Sequence, residues 1–297
     1  MLKSHGCGNK FPELTYATKD DPVAKQLLIQ SIERLAGRDY FVPFYEIWRN
    51  EYIGKGGPII RPVLELLNIE LKIASGRGPR NIDPSSPVII VSNHPFGITD
   101  GLGALAIAED LGRPFSVLLH KDLMKVPEMR PYALPIDFAE TRDAQIMNLA
   151  TRKKALELLG KGQTIIIFPA GGVATSPTVF GRAVELPWKL FTARMVQMSK
   201  AQVLPLYFEG QCSPLFHFAS KFSATIRLSL MIREFRNCVG KPLRVHIGEI
   251  IAYDVLQEIK DRKALMNFLF ERVHYMAQMP LPAIRQRAER LPHWLQG

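Results

Sequence analysis

Short runs of unbroken hydrophobicity, each closed by polar or turn-forming residues, recur at Val88 to Val91, Phe115 to Leu119, Leu134 to Phe138, Thr164 to Phe168 and Val203 to Phe208. A strand covered on both faces reads this way, because a half-exposed strand would alternate. A later segment, Leu243 to Gly248, does alternate and is read as one more strand. Between these runs the apolar positions take helical spacing. Leu102, Leu105 and Ala106 precede Gly112, and Asp143 to Leu159 stops at Gly160-Lys161-Gly162. Leu186 to Lys200 carries Trp188, Phe191, Met195 and Met198 on one stripe, and Lys263 to Met276 carries Leu265, Phe268 and Leu269. Strands alternating with helices predict an α/β fold, a mostly parallel central sheet flanked by helices.

The first part of the chain has a different pattern. Residues up to about Asp20 form a polar lead with no periodicity, expected to be poorly ordered. Asp21-Pro22 then opens an amphipathic helix with Leu27, Leu28, Ile32 and Leu35 on one face. An aromatic cluster follows, Tyr40, Phe41, Phe44, Tyr45 and Trp48 with Arg49 among them, and then the run Ile59 to Leu67. Two readings stay open for these segments: packed core, or a surface lying on a bilayer with its aromatics at headgroup depth. The turn-rich stretch Gly76 to Ser86 marks a boundary between a helical, membrane-associating lead (1–80) and the α/β domain (81–297). The tail from Ile284, with Arg285, Arg287, Arg290 and Trp294, is a second candidate for acidic lipid, at about 1 kcal/mol per basic residue.

Composition narrows the classes. The 297 residues are 47% hydrophobic, which argues against disorder, and the net charge of +10 calls for an anionic partner. Among such partners nucleic acid is disfavoured, since neither zinc-ligand spacing nor an RNA-binding aromatic signature occurs. Three cysteines, Cys7, Cys212 and Cys238, share no metal spacing, and the seven histidines form no HExxH grouping, so no metal site is expected. There is no signal-peptide core and no apolar run near the roughly 18–20 residues that span a bilayer. The expected location is cytoplasmic, peripheral on the inner face of the membrane.

Candidate chemistry concentrates in Val88 to Gly101, VIIVSNHPFGITDG. A buried strand ends in Ser92-Asn93-His94-Pro95, and a helix begins after Gly97. Ligand sites in α/β sheets lie outside the carboxyl ends of strands, where His94 and Asp100 fall. Imidazole can take the proton of a hydroxyl while a carboxylate fixes its tautomer and stabilises the imidazolium. The plainer reading is that Asp100 caps the helix and His94 is a satisfied histidine beside a turn. Ser176 lacks a nucleophile-elbow context, and nothing in the sequence activates Cys212.

Asn93-His94 followed by Asp100 resembles the first motif of the glycerophospholipid acyltransferases, also called PlsC-like or lysophospholipid acyltransferases. That family usually places four residues between the two side chains. Here there are five, an HX5D form similar to the branch of putative hemolysins and ornithine-lipid acyltransferases. The resemblance runs from about Pro87 to Phe218. Phe168-Pro169-Ala170-Gly171 is similar to the third motif, Phe-Pro-Glu-Gly, but Ala170 stands where the glutamate is expected. Gly172 stands at the alternative position, so the acidic group is missing in both registers. Val203 to Phe208 resembles the fourth motif, and Leu215 to Phe218 is similar to the hemolysin-like branch.

The resemblance implies an O-acyltransferase that moves a fatty acyl group from acyl-CoA or acyl-ACP to the hydroxyl of a lysophospholipid or aminolipid. His94 would be the general base and Asp100 its partner, with Asn93, Lys121, Arg142, Pro169, Gly171, Gly172 and Lys189 holding substrate. No cofactor is expected beyond the thioester co-substrate. The expected partners are the acyl donor, the lipid acceptor, an anionic membrane surface and acyl carrier protein. The missing glutamate leaves a rival reading, a non-catalytic lipid-binding protein of the same fold. For Arg142 and Lys189 the plainer alternative is solvated surface charge.

Overall fold

All six expected strands form, and a seventh joins them at the edge of one sheet. The computed structural model describes residues 11–18, 21–76, 82–83 and 85–276. The strands are Leu71–Ser75 (β1), Val88–Ser92 (β2), Phe115–His120 (β3), Ala133–Ile136 (β4), Thr164–Ile167 (β5), Gln202–Phe208 (β6) and Leu243–Ile247 (β7), in the order β1-β7-β6-β2-β5-β3-β4. The two most apolar strands, β2 and β5, pair parallel with Ile89 opposite Ile165 and Ile90 opposite Ile166. Every residue of both is buried. Complete burial of such side chains stabilises the fold by about 1.5–3 kcal/mol each.

Strands β2 to β6 run the same way, so their carboxyl ends share one edge. Only the pairing of β6 with β7 is antiparallel, and β1 pairs parallel with β7, so the last two strands are reversed.

Helices cover both faces: Val23–Ala36 (α1), Arg38–Glu51 (α2), Arg61–Leu66 (α3), Ile98–Asp110 (α4), Arg142–Gly160 (α5), Phe191–Ser199 (α6), Pro214–Ala219 (α7), Ala224–Ser229 (α8), Met231–Cys238 (α9), Tyr253–Leu256 (α10) and Arg262–Tyr275 (α11). Side chains alternate across a strand. Val88 and Ile90 therefore join one core with α2, α3 and α4, while Ile89 and Val91 join the other with α5, α6 and α11.

The aromatic cluster is core, not a bilayer surface. Phe41, Tyr45 and Trp48 are buried on α2, Phe41 stacks on Phe235 at 4.6 Å, and Trp48 Nε1 donates to the Ile59 carbonyl at 2.6 Å. On α1 most of the apolar face stays outside. Leu27, Leu28 and Leu35 are exposed, Leu35 at 88%, while Ile29, Glu33 and Ala36 are buried. Glu33 faces inward because the lead returns to it: Thr15 Oγ1 and Tyr16 N both donate to its carboxylate, and burial raises its pKa. Phe11 packs edge-to-face on Tyr45 at 5.1 Å, so Phe11 to Thr18 lies against the fold instead of trailing from it.

One helix differs from expectation at both of its ends. The helix read from Leu186 begins at Phe191, because Pro187 lies in an arm whose Lys189 N–H bonds the Pro169 carbonyl at 3.0 Å. Met195 is core, but Met198 at the helix end is exposed. The tail from Ile284, Cys7 and most of the 76–86 boundary lie outside the described residues.

Candidate active site

The shared carboxyl edge carries the histidine turn. β2 ends at Ser92, and the side-chain amide of Asn93 then closes two bonds with one residue of β6: Nδ2 donates to the Phe208 carbonyl at 2.8 Å, and Phe208 N–H donates to Oδ1 at 2.7 Å. Gly97, at φ +82°, redirects the chain into α4. The positive φ strains any other residue, and a Cβ there would stand 3.0 Å from both Val173 and Met231, which would have to give way.

Asp100 enters from the first turn of α4, wholly buried. Its Oδ2 lies 2.7 Å from His94 Nδ1, and its Oδ1 accepts from Phe96 N–H at 3.2 Å. An ionised carboxylate only accepts, so the ring donates from Nδ1 and Nε2 becomes the basic position. Nε2 has no hydrogen-bond partner among the described residues, and the side chain keeps 17% exposure. Phe168 stacks on the ring at 4.1 Å and 29°, fixing its plane.

The turn after β5 forms a wall beside this pair. Gly171 takes φ +72°, and a Cβ on it would sit 3.3 Å from Phe138 and 3.8 Å from Lys189 Cε. Gly172 packs towards Leu186. Phe138 stacks on His120 at 5.7 Å, and burial lowers the His120 pKa. The structure thus gathers Pro169, Gly171, Gly172 and Lys189 in one place. Lys121 stands at the end of β3 with Nζ 2.7 Å from Asp137, whose pKa it lowers through that bond. Arg142 is the exposed first residue of α5, behind the Thr141 cap that accepts from Ala144 N–H at 3.2 Å. Asn93 turns away from a substrate role, because both ends of its amide are used within the fold.

Two groups escaped the sequence reading. Glu185 is buried, and its Oε1 accepts the main-chain N–H of His94 at 2.8 Å. Its Oε2 accepts from Trp188 Nε1 at 3.0 Å and lies 3.2 Å from His274 Nε2, a buried residue of α11. The chain reaches this point because Thr175 and Val184 pair antiparallel and fold the post-β5 loop back on itself. The only cue in the sequence is a lone acid between Val184 and Leu186. The second group is Arg227, which donates to Val173 O at 2.6 Å, Ser220 Oγ at 2.7 Å and Thr175 Oγ1. Burial brings its pKa down to about 10, and its bonds tie the same loop to α8.

Cys212 is buried and its pKa is pushed well above that of a free thiol, so it lacks the thiolate character of a nucleophile. Next to Phe96 opens a cavity of about 280 Å³ lined by Gln211, Ser213, Glu234 and Lys241 among others. Among the described residues no His, Cys, Asp and Glu cluster could hold a metal ion.

The arrangement suits removal of a proton from a group that approaches Nε2. Comparison with known proteins identifies the family of the chain. The model of a family described as Acyltransferase matches residues 70–280. A lyso-glycine lipid O-acyltransferase of Phocaeicola vulgatus is 24% identical over 208 residues, covering 68% of each chain. The crystal structure of the 1-acyl-sn-glycerophosphate acyltransferase PlsC from Thermotoga maritima superposes with a TM-score of 0.50 at 15% identity, covering 85% of this chain and 94% of that one, and shows the same fold. With more than half of its length matched by the family model, the chain belongs to the acyltransferase family that its histidine turn resembles.

Proposed function

We propose that the protein transfers a fatty acyl group from an acyl-CoA or acyl-ACP thioester to the hydroxyl of a lysolipid, with His94 as general base and Asp100 orienting it. The observation that carries this reading is the 2.7 Å contact between His94 Nδ1 and the buried Asp100, which leaves Nε2 as the open, basic nitrogen. The acceptor hydroxyl gives its proton to Nε2 as its oxygen attacks the thioester carbonyl. The tetrahedral adduct then expels the thiolate, which takes the proton back from the imidazolium. An ester and a free thiol result, and no protein nucleophile is required.

The acceptor is of the aminolipid type. Support comes from the name of the Phocaeicola relative and from Ala170, where the lysophosphatidate pattern would have a glutamate. Lys121, Arg142 and Lys189, with the N–H groups of the Pro169 to Gly172 turn, hold the anionic parts of donor and acceptor. No cofactor takes part beyond the thioester.

The membrane contact is peripheral. No helix of the described residues is long and apolar enough to cross a bilayer. The exposed leucines of α1 offer a face for the inner surface of the cytoplasmic membrane, where lysolipids reside, and the excess positive charge favours anionic lipid. The test is thioester turnover, followed as free thiol, across a panel of lyso-aminolipids and lysophospholipids with both donor types. Ester formation with a lyso-aminolipid is expected. Lipid binding without turnover across the whole panel overturns the enzyme reading in favour of a lipid-binding protein.

A further inference from the structure

The histidine turn is held from two directions. One support is the sheet, through Asn93. The other is a carboxylate that reaches the main chain of His94 itself.

Glu185 lies far along the chain from His94, yet its Oε1 accepts the His94 N–H at 2.8 Å. A carboxylate buried to this degree is costly unless its oxygens are satisfied. Here Trp188 Nε1 at 3.0 Å and His274 Nε2 at 3.2 Å provide for Oε2. The other ring nitrogen of His274 lies 2.9 Å from the Phe270 carbonyl, so both nitrogens of that ring face oxygen acceptors. His274 is further fixed by Phe270, stacked on it at 3.9 Å, and by Trp188 at 5.8 Å. The result is a rigid chain of contacts from α11 through Glu185 to the residue that bears the base.

We infer that Glu185, backed by His274 and Trp188, is a positioning residue for the transfer reaction, one that sets the backbone of His94 so that Nε2 meets the acceptor hydroxyl. The inference rests on the acyl-transfer reading of His94. Glu185 acts through the main chain of the base, so its loss misplaces the imidazole without removing a substrate contact. A displacement near 1 Å costs about 100-fold in rate.

The experiment uses the full chain with Glu185→Gln and Trp188→Phe, each checked for a native melting transition. In Glu185→Gln one oxygen remains for the His94 N–H, but the amide presents a donor to Trp188 and His274. The expected result is a fall in kcat of about 10- to 100-fold with the donor KM within about threefold, and a smaller fall of the same kind in Trp188→Phe. The His94 imidazole resonances, assigned by their loss in His94→Ala, should shift in both variants.

Wild-type kcat together with unshifted His94 resonances in a folded variant overturns the inference. If Glu185→Gln does not fold, Trp188→Phe decides by the same criteria. If the wild-type protein turns over no acceptor, the acyl-transfer reading fails, and unshifted resonances in the variants then separately overturn the positioning role.

Discussion

His94 and Asp100 meet at 2.7 Å across a turn that only a left-handed glycine, Gly97, allows to close so tightly. The carboxylate is fully buried while the ring keeps an open edge, which is the division of labour a general base needs. Replacing His94 by alanine is expected to lower kcat by about 100- to 10,000-fold. The melting temperature should change little, because the side chain is partly exposed. Steady-state thiol release on the two proteins checks this, and an unchanged kcat removes His94 from the mechanism.

Asp100→Asn keeps the acceptor for Phe96 N–H but loses the carboxylate that holds the His94 tautomer. Turnover should fall by a similar order, and the loss should not be recovered by raising substrate concentration. A change confined to KM would assign Asp100 to substrate binding instead.

Arg142 stands exposed at the start of α5, where an exposed charge acts on a ligand with roughly 1 kcal/mol or less. Arg142→Ala is therefore expected to raise the KM for an anionic acceptor by up to about fivefold. The difference should shrink as salt is raised towards 1 M, where the screening length is about 3 Å. Kinetics at two ionic strengths measure both effects.

The exposed leucines of α1 predict a separation of binding from stability. Leu27→Asp and Leu35→Asp should each weaken sedimentation with anionic vesicles by about tenfold, since burial of a leucine stabilises by about 1.5–3 kcal/mol. They should leave folding within about 0.5 kcal/mol. Equal vesicle binding in both variants would mean that α1 does not meet lipid.

His217 gives the acid limb of stability. Burial, with Arg227 nearby, lowers its pKa to about 4 from the usual 6.5, and its Nδ1 accepts from Ser176 N–H. The unfolded chain thus binds the extra proton more readily than the folded one. The contribution is fully present above pH 6.5 and is lost as pH falls from 6.5 to 4, amounting to about 3 kcal/mol. His217→Asn, which retains an acceptor near Nδ1, should flatten the melting curve's dependence on pH in that window. Thermal melts at pH 7, 5.5 and 4 test it.

Much of this architecture could be read in advance where one residue's burial is dictated by its neighbours in sequence. The runs at Ile89 and Ile165 have no polar alternate positions, so they could only be covered on both faces. His94 and Asp100 were legible because a strand, a short turn and a helix bring them together locally. For α1 the sequence left both readings open, because hydrophobic periodicity identifies an apolar face but not whether anything covers it, and here Thr15 and Tyr16 draw Glu33 inward. Strand β1 escaped because Leu71 to Ser75 is an edge strand with mixed exposure and no apolar run. Glu185 escaped for a different reason: its meaning lies in contacts with His94 and His274, both distant in sequence, and spacing carries no information about those.

Asn93 and His94 are consecutive, yet they answer to different parts of the molecule, one to the β6 backbone and the other to an arm beyond β5. A hinge pinned at two neighbouring residues from opposite sides has no soft rotation left. The segment that pins His94 is also the one that carries Lys189 and closes on the Pro169 carbonyl. On the proposed reading, the grip on the headgroup and the aim of the imidazole are therefore inherited together from a single stretch of chain.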